Sequence, residues 1–240
     1  DQIDTIRKGP ALKFKTFKSA VRISKEDIYR ELFKENQSRI RIKKEETAIK
    51  NLARIFDAAL SISNEKGFSA MSLRDLSSEA GLSMGALYSY ISSKDDLLDM
   101  LLQQGRIVVF KVLLQQISGI DSPQDRLKIA VQTHLYLSEI MQPWFYFLYM
   151  ETKNFRKEEH KTAIESELFT ENIFQEIILQ GISAGQFRQV DGALTSAIIK
   201  AMLQDWYLKR WKYEKRNVSV EEYAGFLMEV LGSHLHLENT

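Results

Sequence analysis

Histidine, cysteine and paired carboxylates carry much of protein chemistry, and this 240-residue sequence uses them sparingly. Its four histidines, His134, His160, His234 and His236, show no H-E-x-x-H or E-x-x-H spacing, which argues against a zincin or a di-iron bundle. Cysteine is absent, removing thiolate metal sites, disulfides and a thiol nucleophile together. No P-loop, Rossmann fingerprint or nucleophile elbow occurs. Asp95-Asp96 and Glu158-Glu159 read as charges at helix starts, where the helix dipole favours them. The expectation is a protein with no catalytic residue, no metal and no cofactor.

A different chemistry gathers between residues 72 and 94, in hydroxyls, small side chains and a few cations. The elements that hold it are short. Ser72 caps a segment from Leu73 to Ala80 that Gly81 ends. Ser83 caps a second, Met84 to Ile91, and Ser93 a third that opens Lys94-Asp-Asp-Leu-Leu98. Before them Ile49, Leu52, Phe56, Ala59 and Leu60 recur at helical spacing until Gly67. Two short helices joined by a glycine turn form a helix-turn-helix, whose second helix fits a DNA major groove. A generic apolar corner of two helices has the same pattern, so spacing alone leaves both readings open.

The residues themselves narrow the choice. Met71-Ser-Leu-Arg-Asp-Leu-Ser-Ser-Glu-Ala-Gly-Leu-Ser-Met-Gly-Ala-Leu-Tyr-Ser-Tyr-Ile-Ser-Ser-Lys-Asp-Asp-Leu-Leu98 closely resembles the DNA-binding domain of TetR-family transcriptional repressors. The preceding helix, ending Asn64-Glu-Lys-Gly-Phe68, is also similar, so the likeness covers roughly residues 48–98. It implies a small core of Leu73, Leu76, Ala80, Leu82, Leu87 and Ile91. It further implies that Tyr88 and Lys94 meet phosphates, by a hydroxyl and a point charge. Arg74 matches a position that reaches a base edge, where a bidentate pair with guanine gives roughly 1–3 kcal/mol of discrimination. Its rival role is a surface pair with Asp75 or Glu79. Ser72 and Ser83 can hold phosphate oxygens at helix N-termini, and Gly85 and Ala86 let backbone approach the bases. Met84, Ser89 and Tyr90 complete the recognition helix, Tyr90 serving equally well as core. That helix carries no Arg, Gln or Asn for bidentate contacts. Reading is expected to lean on thymine methyls, Arg74 and DNA shape.

Net charge is +1, which at first argues against a nucleic-acid partner. The distribution says otherwise. Residues 1–50 hold 14 Lys and Arg against 8 Asp and Glu, or +6; residues 51–105 sum to −3 and 106–240 to −2. Residues 1–44 lie outside the resemblance and are expected to form a basic extension, with a helix near 25–36 begun by Ser24-Lys-Glu-Asp27. Arg39, Arg41, Lys43 and Lys44 are placed to lie along the DNA backbone or in a minor groove and to supply much of the grip. The alternative is that Phe14, Phe17, Ile28 and Phe33 dock the extension on the protein's own body.

Beyond Gly105 the segments lengthen, with helices expected at roughly 94–117, 123–141, 143–153, 158–184, 192–214 and 219–235. No sustained strand pattern appears. The fold expected is all-α: an extension (1–44), a three-helix helix-turn-helix DNA-binding domain (45–98) and a C-terminal helical ligand-binding and dimerisation domain (99–240). In the resembled architecture the fifth to seventh helices enclose a pocket and the last two pair with a second subunit. The aromatic run Trp144 to Tyr149 suggests a pocket wall, although core packing explains such a run equally well. Leu102, Val109, His134, Leu137, Trp144, Phe147, Phe174, Ile178 and Trp206 are the expected ligand lining. No cluster of charges marks the ligand's chemistry, so a lipophilic or aromatic effector is expected, or a fatty acyl thioester. Leu194, Ile198, Ala201, Met202, Tyr223, Phe226, Leu227, Val230 and Leu231 form the expected dimer stripes. The longest apolar run is seven residues, far short of a membrane span, and no signal-peptide pattern opens the chain. A cytoplasmic homodimer that binds an operator and represses transcription is the resulting expectation. The rivals are a helical adaptor that has lost specific DNA binding and, further off, an all-α enzyme.

Overall fold

A computed structural model describes residues 12–235, apart from the side chains of 22–26. Residues 1–11 of the basic extension, the Ser24 cap side chain and His236 therefore lie outside the described residues. The described chain is α-helical, with α1 (Phe14–Glu35), α2 (Glu45–Lys66), α3 (Leu73–Glu79), α4 (Met84–Leu87), α5 (Lys94–Ile117) and α6 (Pro123–Ile140). They are followed by α7 (Gln142–Glu151), α8 (Lys157–Ser183), α9 (Gly192–Leu208), α10 (Arg210–Lys215) and α11 (Val220–Leu235). Strands are absent among the described residues. The chain divides into two compact units that cut across boundaries at 44 and 98. Among the described residues one, the helix-turn-helix unit, comprises 21–108 and 143–164; the other, the C-terminal unit, comprises 12–20, 109–142 and 165–235.

In the helix-turn-helix unit, α2 is the spine. Its Leu52, Ile55, Phe56 and Ala59 are fully buried, meeting the expected period, while Leu76, Leu87, Ile91 and Leu97 are buried with them. Leu73 and Leu82, expected in the same core, are only half-buried. The later part of α1 belongs to this unit. Tyr29 stands edge-on to Phe56 with centroids 5.8 Å apart, and Arg30 bridges Asp27 and Glu45 at 2.6 and 2.7 Å. Asn36 donates to Leu32 O and to Gln103 Oε1. From α7, Trp144 lies across Gly105, where an added Cβ would fall 1.7 Å from an indole carbon. Its indole N–H donates to Leu101 O at 3.1 Å. Phe147 is sandwiched between Phe68 and Phe155.

In the C-terminal unit the start of α1 is equally anchored. The Phe14 N–H donates to Glu221 at 2.9 Å, Phe14 and Phe17 pack on Tyr136, and the Tyr136 hydroxyl donates to Leu12 O. The helix expected at 25–36 thus begins at Phe14, eleven residues earlier. The reason is packing: Phe17, Ile28 and Phe33 are buried and Phe14 is half-buried, so the docked alternative describes this segment. A second departure lies at Lys209, whose dihedrals (φ −120°, ψ 36°) break the expected 192–214 helix into α9 and α10. Asp205 gathers Lys209, Lys212 and the Tyr213 hydroxyl there. Tyr213 then stacks on Trp206, which also meets Tyr223.

The anchoring of α1 yields a stability prediction. Phe17→Ala is expected to lower unfolding free energy by about 3–5 kcal/mol, as for other fully buried phenylalanines, measured by urea denaturation. A loss within about 0.5 kcal/mol would be that of a solvated arm.

Candidate nucleic-acid interface

α3 begins with a complete capping box. Ser72 Oγ accepts the Asp75 N–H at 3.1 Å, and Asp75 Oδ2 accepts the Ser72 N–H at 2.9 Å. Lys66 adds an ion pair to the same carboxylate at 2.9 Å. The Ser72 backbone N–H, then Lys66, bring the Asp75 carboxyl down to about 2. Because Asp75 is so engaged, Arg74 is left exposed and without a carboxylate partner among the described residues. The surface pair weighed against a DNA role for Arg74 does not form.

Gly81, with φ +61°, turns the chain between α3 and α4. Ser77 Oγ donates to Leu82 O across that turn at 2.6 Å. Ser83 Oγ then accepts the Ala86 N–H at 3.2 Å and starts α4. Regular helix lasts only from Met84 to Leu87, short of the expected Ile91, and the chain continues as turns to Tyr90. Gly85 is exposed, and a Cβ there would meet nothing within 4 Å. Internal packing therefore makes no demand for glycine at this position; close approach by an outside surface would. Tyr88 is 47% exposed. Ser89, half-buried, returns its hydroxyl to Gly85 O.

Tyr90 is a correction to the expected DNA set. It is 1% exposed, because its ring fills the space under α4 while its hydroxyl accepts from Asn51 Nδ2 at 2.8 Å. Asn51 also accepts from Arg54, which donates to Gly81 O at 2.9 Å. One chain of hydrogen bonds thus joins α2 to the end of α4 and to the turn. Sequence reasoning missed Asn51 and Arg54, since a polar residue on the flank of a helix carries no signal of its far partner. Lys94 has a double use. Its ammonium donates to Phe68 O and Ser69 O at 2.8 and 2.9 Å and lies over the Phe68 ring, leaving one proton for an outside acceptor. Its partial burial lowers its pKa.

The basic run at 39–44 is fixed to this unit as well. Ile40 is buried, and the Arg41 N–H donates to Ser89 O at 2.8 Å, at the end of the recognition segment. Arg39 pairs with Asp96 at 3.0 Å, which spends much of its charge. Arg41, Lys43 and Lys44 remain exposed. The segment is a tethered lip beside α4.

All nine expected ligand-lining residues are buried, but they do not belong to one unit. Leu102, Trp144 and Phe147 lie in the helix-turn-helix unit; Val109, His134, Leu137, Phe174, Ile178 and Trp206 lie in the C-terminal unit. Trp144, Phe147 and Trp206 are corrections, since their faces are taken by Gly105, by Phe68 and Phe155, and by Tyr213 and Tyr223. The expectation that no charges cluster is overturned too. His134 Nε2 lies 3.3 Å from the buried Lys200 ammonium, which also reaches Thr170 and Glu167. These four residues come from three helices, and His134, the α8 pair Glu167 and Thr170, and Lys200 are too far apart in sequence to announce each other.

The dimer stripes separate by face. Leu194, Ile198, Ala201, Phe226 and Val230 are exposed and Met202 is half-buried. Tyr223, Leu227 and Leu231 are corrections: a four-residue step keeps them on the inner side of α11, where all three are buried.

Comparison with known proteins agrees with this geometry. Residues 55–101 match the family described as bacterial regulatory proteins, tetR family. Residues 120–231 match the tetracyclin repressor-like C-terminal domain. The chain is 26% identical over 170 residues to the HTH-type transcriptional regulator HbdR of Aromatoleum sp., covering 71% of this chain and 74% of HbdR. The TetR family transcriptional regulator PfmR of Thermus thermophilus superposes with a TM-score of 0.66 at 26% identity, over 77% of this chain and all of PfmR. AibR, solved with isovaleryl coenzyme A and operator DNA, superposes with a TM-score of 0.66 at 18% identity, over 77% of this chain and 97% of AibR. With matches over residues 55–101 and 120–231, the chain belongs to the tetR family of bacterial regulatory proteins and is a DNA-binding transcriptional regulator.

Proposed function

We propose that the protein is a homodimeric repressor that reads a palindromic operator through α3 and α4 and leaves it when a lipophilic or aromatic effector binds the C-terminal unit. The observation that carries the reading is the free outer surface of the helix-turn-helix. Arg74, Gly85 and Tyr88 are exposed there with no internal task, while Tyr90 is committed to the core. Ser72, Ser83 and Lys94 take phosphates at helix starts, and Met84, Ala86 and Ser89 face the bases. Exposed Arg41, Lys43 and Lys44 grip the flanking backbone, offsetting the −3 charge of the domain. No catalysis is assigned. Among the described residues no helix is long and apolar enough to cross a membrane; work on DNA in the cytoplasm fits that.

Dimerisation is supported by the exposed apolar side chains of α9 and α11, since single subunits seldom leave such stripes to water. A palindromic site needs two recognition helices related by a two-fold axis. The effector reading is supported by the apolar, buried Leu137, Phe174 and Ile178 and by AibR, solved with both an acyl thioester and its operator. An effector acts by preferring a conformer whose recognition helices are misplaced.

Three tests follow, the first two on DNA selected by the protein itself. Arg74→Ala is expected to cost about 1–3 kcal/mol of operator affinity and to relax selectivity at one base pair per half-site, read by titration against single-base variants. Equal losses on all sequences would remove its base-reading role. Neutralising Arg41, Lys43 and Lys44 together is expected to flatten the dependence of log K on log salt by roughly 0.9 for each phosphate no longer neutralised; an unchanged slope would exclude the lip from the interface. Ile198→Glu is expected to yield folded monomers by analytical ultracentrifugation. A dimer that survives it would move the interface elsewhere.

A further inference from the structure

We propose that Lys200 anchors the carboxylate of an effector with an apolar tail, which enters by taking the place of the Glu167 carboxylate. The inference rests on the effector reading above and names its chemical class. Lys200 is on α9, with its side chain 5% exposed. Its ammonium has three acceptors: Thr170 Oγ1 at 2.7 Å, Glu167 Oε2 at 3.2 Å and His134 Nε2 at 3.3 Å. Burial of an ammonium carries a desolvation cost that a single ion pair seldom offsets. The adjacent inward positions on α9 are Ile199 and Leu203, both fully buried, so packing alone asks for an aliphatic side chain at 200. A charge kept against that cost points to a binding role.

The two partners of the ion pair differ in freedom. Lys200 is enclosed. Glu167 reaches it from the surface with 42% of its side chain exposed, steadied by Gln204 Nε2 at 2.8 Å. Rotation into water is therefore cheap for the glutamate and closed to the lysine. Glu167 holds an exchangeable seat for a carboxylate. His134 keeps the seat singly positive: burial first, then the neighbouring ammonium, hold its pKa well below the usual imidazole value. As a neutral ring it accepts from Lys200 and does not compete for the anion.

Apolar core side chains neighbour the seat along α6 and α8. The His134 ring lies 6.4 Å from that of Phe174. Phe174 follows Thr170 by one turn of α8, Ile178 follows Phe174 by another, and Leu137 follows His134 by one turn of α6. All three are fully buried. An acid with an aliphatic or aromatic tail satisfies both ends of this site. The matching alcohol would displace Glu167 and leave the ammonium only the more distant charge of Glu171, a loss of direct pairing that gives such sites their discrimination.

The test is calorimetric titration of the full-length protein with octanoate and phenylacetate against 1-octanol and 2-phenylethanol. The acids are expected to bind and the alcohols to bind at least about tenfold more weakly. Lys200→Met is expected to abolish acid binding, whereas Glu167→Gln, which removes the internal competitor, is expected to tighten it by about tenfold. A merely structural ion pair would respond differently: both variants would lower the melting temperature and neither would change acid binding. That result, equal binding of acids and alcohols, or binding of neither acid would overturn the proposal. Retention of selected DNA by the same variants without acid is measured alongside, so a failure of DNA binding is seen separately from a failure of the anion site.

Discussion

A helix of four residues cannot hold itself in water, because nucleation costs more than one turn of hydrogen bonds returns. α4 is such a helix, and everything proposed for DNA reading depends on what pins it. Burial of Leu87, Tyr90 and Ile91 beneath it supplies most of the fixation. The Tyr90–Asn51–Arg54–Gly81 chain of hydrogen bonds then ties its end and its preceding turn to α2. A recognition element held from below leaves its upper surface free of structural duty. That is why Gly85 can stand in open space and Tyr88 can remain half in water.

The same division of labour organises α9. Its outer face presents Leu194, Ile198 and Ala201, and its inner face carries Ser196, Ile199, Lys200 and Leu203. One rigid element thus bears both the proposed subunit contact and the proposed anion anchor. A change of counter-ion on the inner face would act on the helix proposed to meet the partner. α1, outside the matched family regions, adds aromatic packing within each unit through Phe17 and Tyr29.

Much of this was legible in the sequence, for reasons that are local. Serine caps, Gly81 and the three- and four-residue apolar spacing of α2 are short-range signals, and α2, α3, α5, α6 and α8 start and stop close to where they imply. The helix-turn-helix residues carried their own resemblance. What was not legible required distant partners. Tyr90 reads equally well as a DNA contact or as core until its hydrogen bond with Asn51 is known. Tyr223, Leu227 and Leu231 share an apolar helix with Phe226 and Val230, and only the packed fold tells inner from outer. The early start of α1 was hidden because Phe14 and Phe17 find Tyr136 more than a hundred residues away. Lys200, Glu167 and Thr170 carry no signal in the sequence, and His134, expected in the ligand lining, gives no hint of them until three helices bring the four together.

The central claim is that the protein reads DNA as a two-fold pair through the outer surface of α3 and α4. Selection of bound duplexes from a random pool at fixed, stated salt tests it most directly. The account predicts enrichment of two inverted half-sites at a fixed separation, with A·T pairs where Met84 and Ala86 would meet thymine methyls. Recovery of unenriched sequence, or of a single unpaired site, would contradict it.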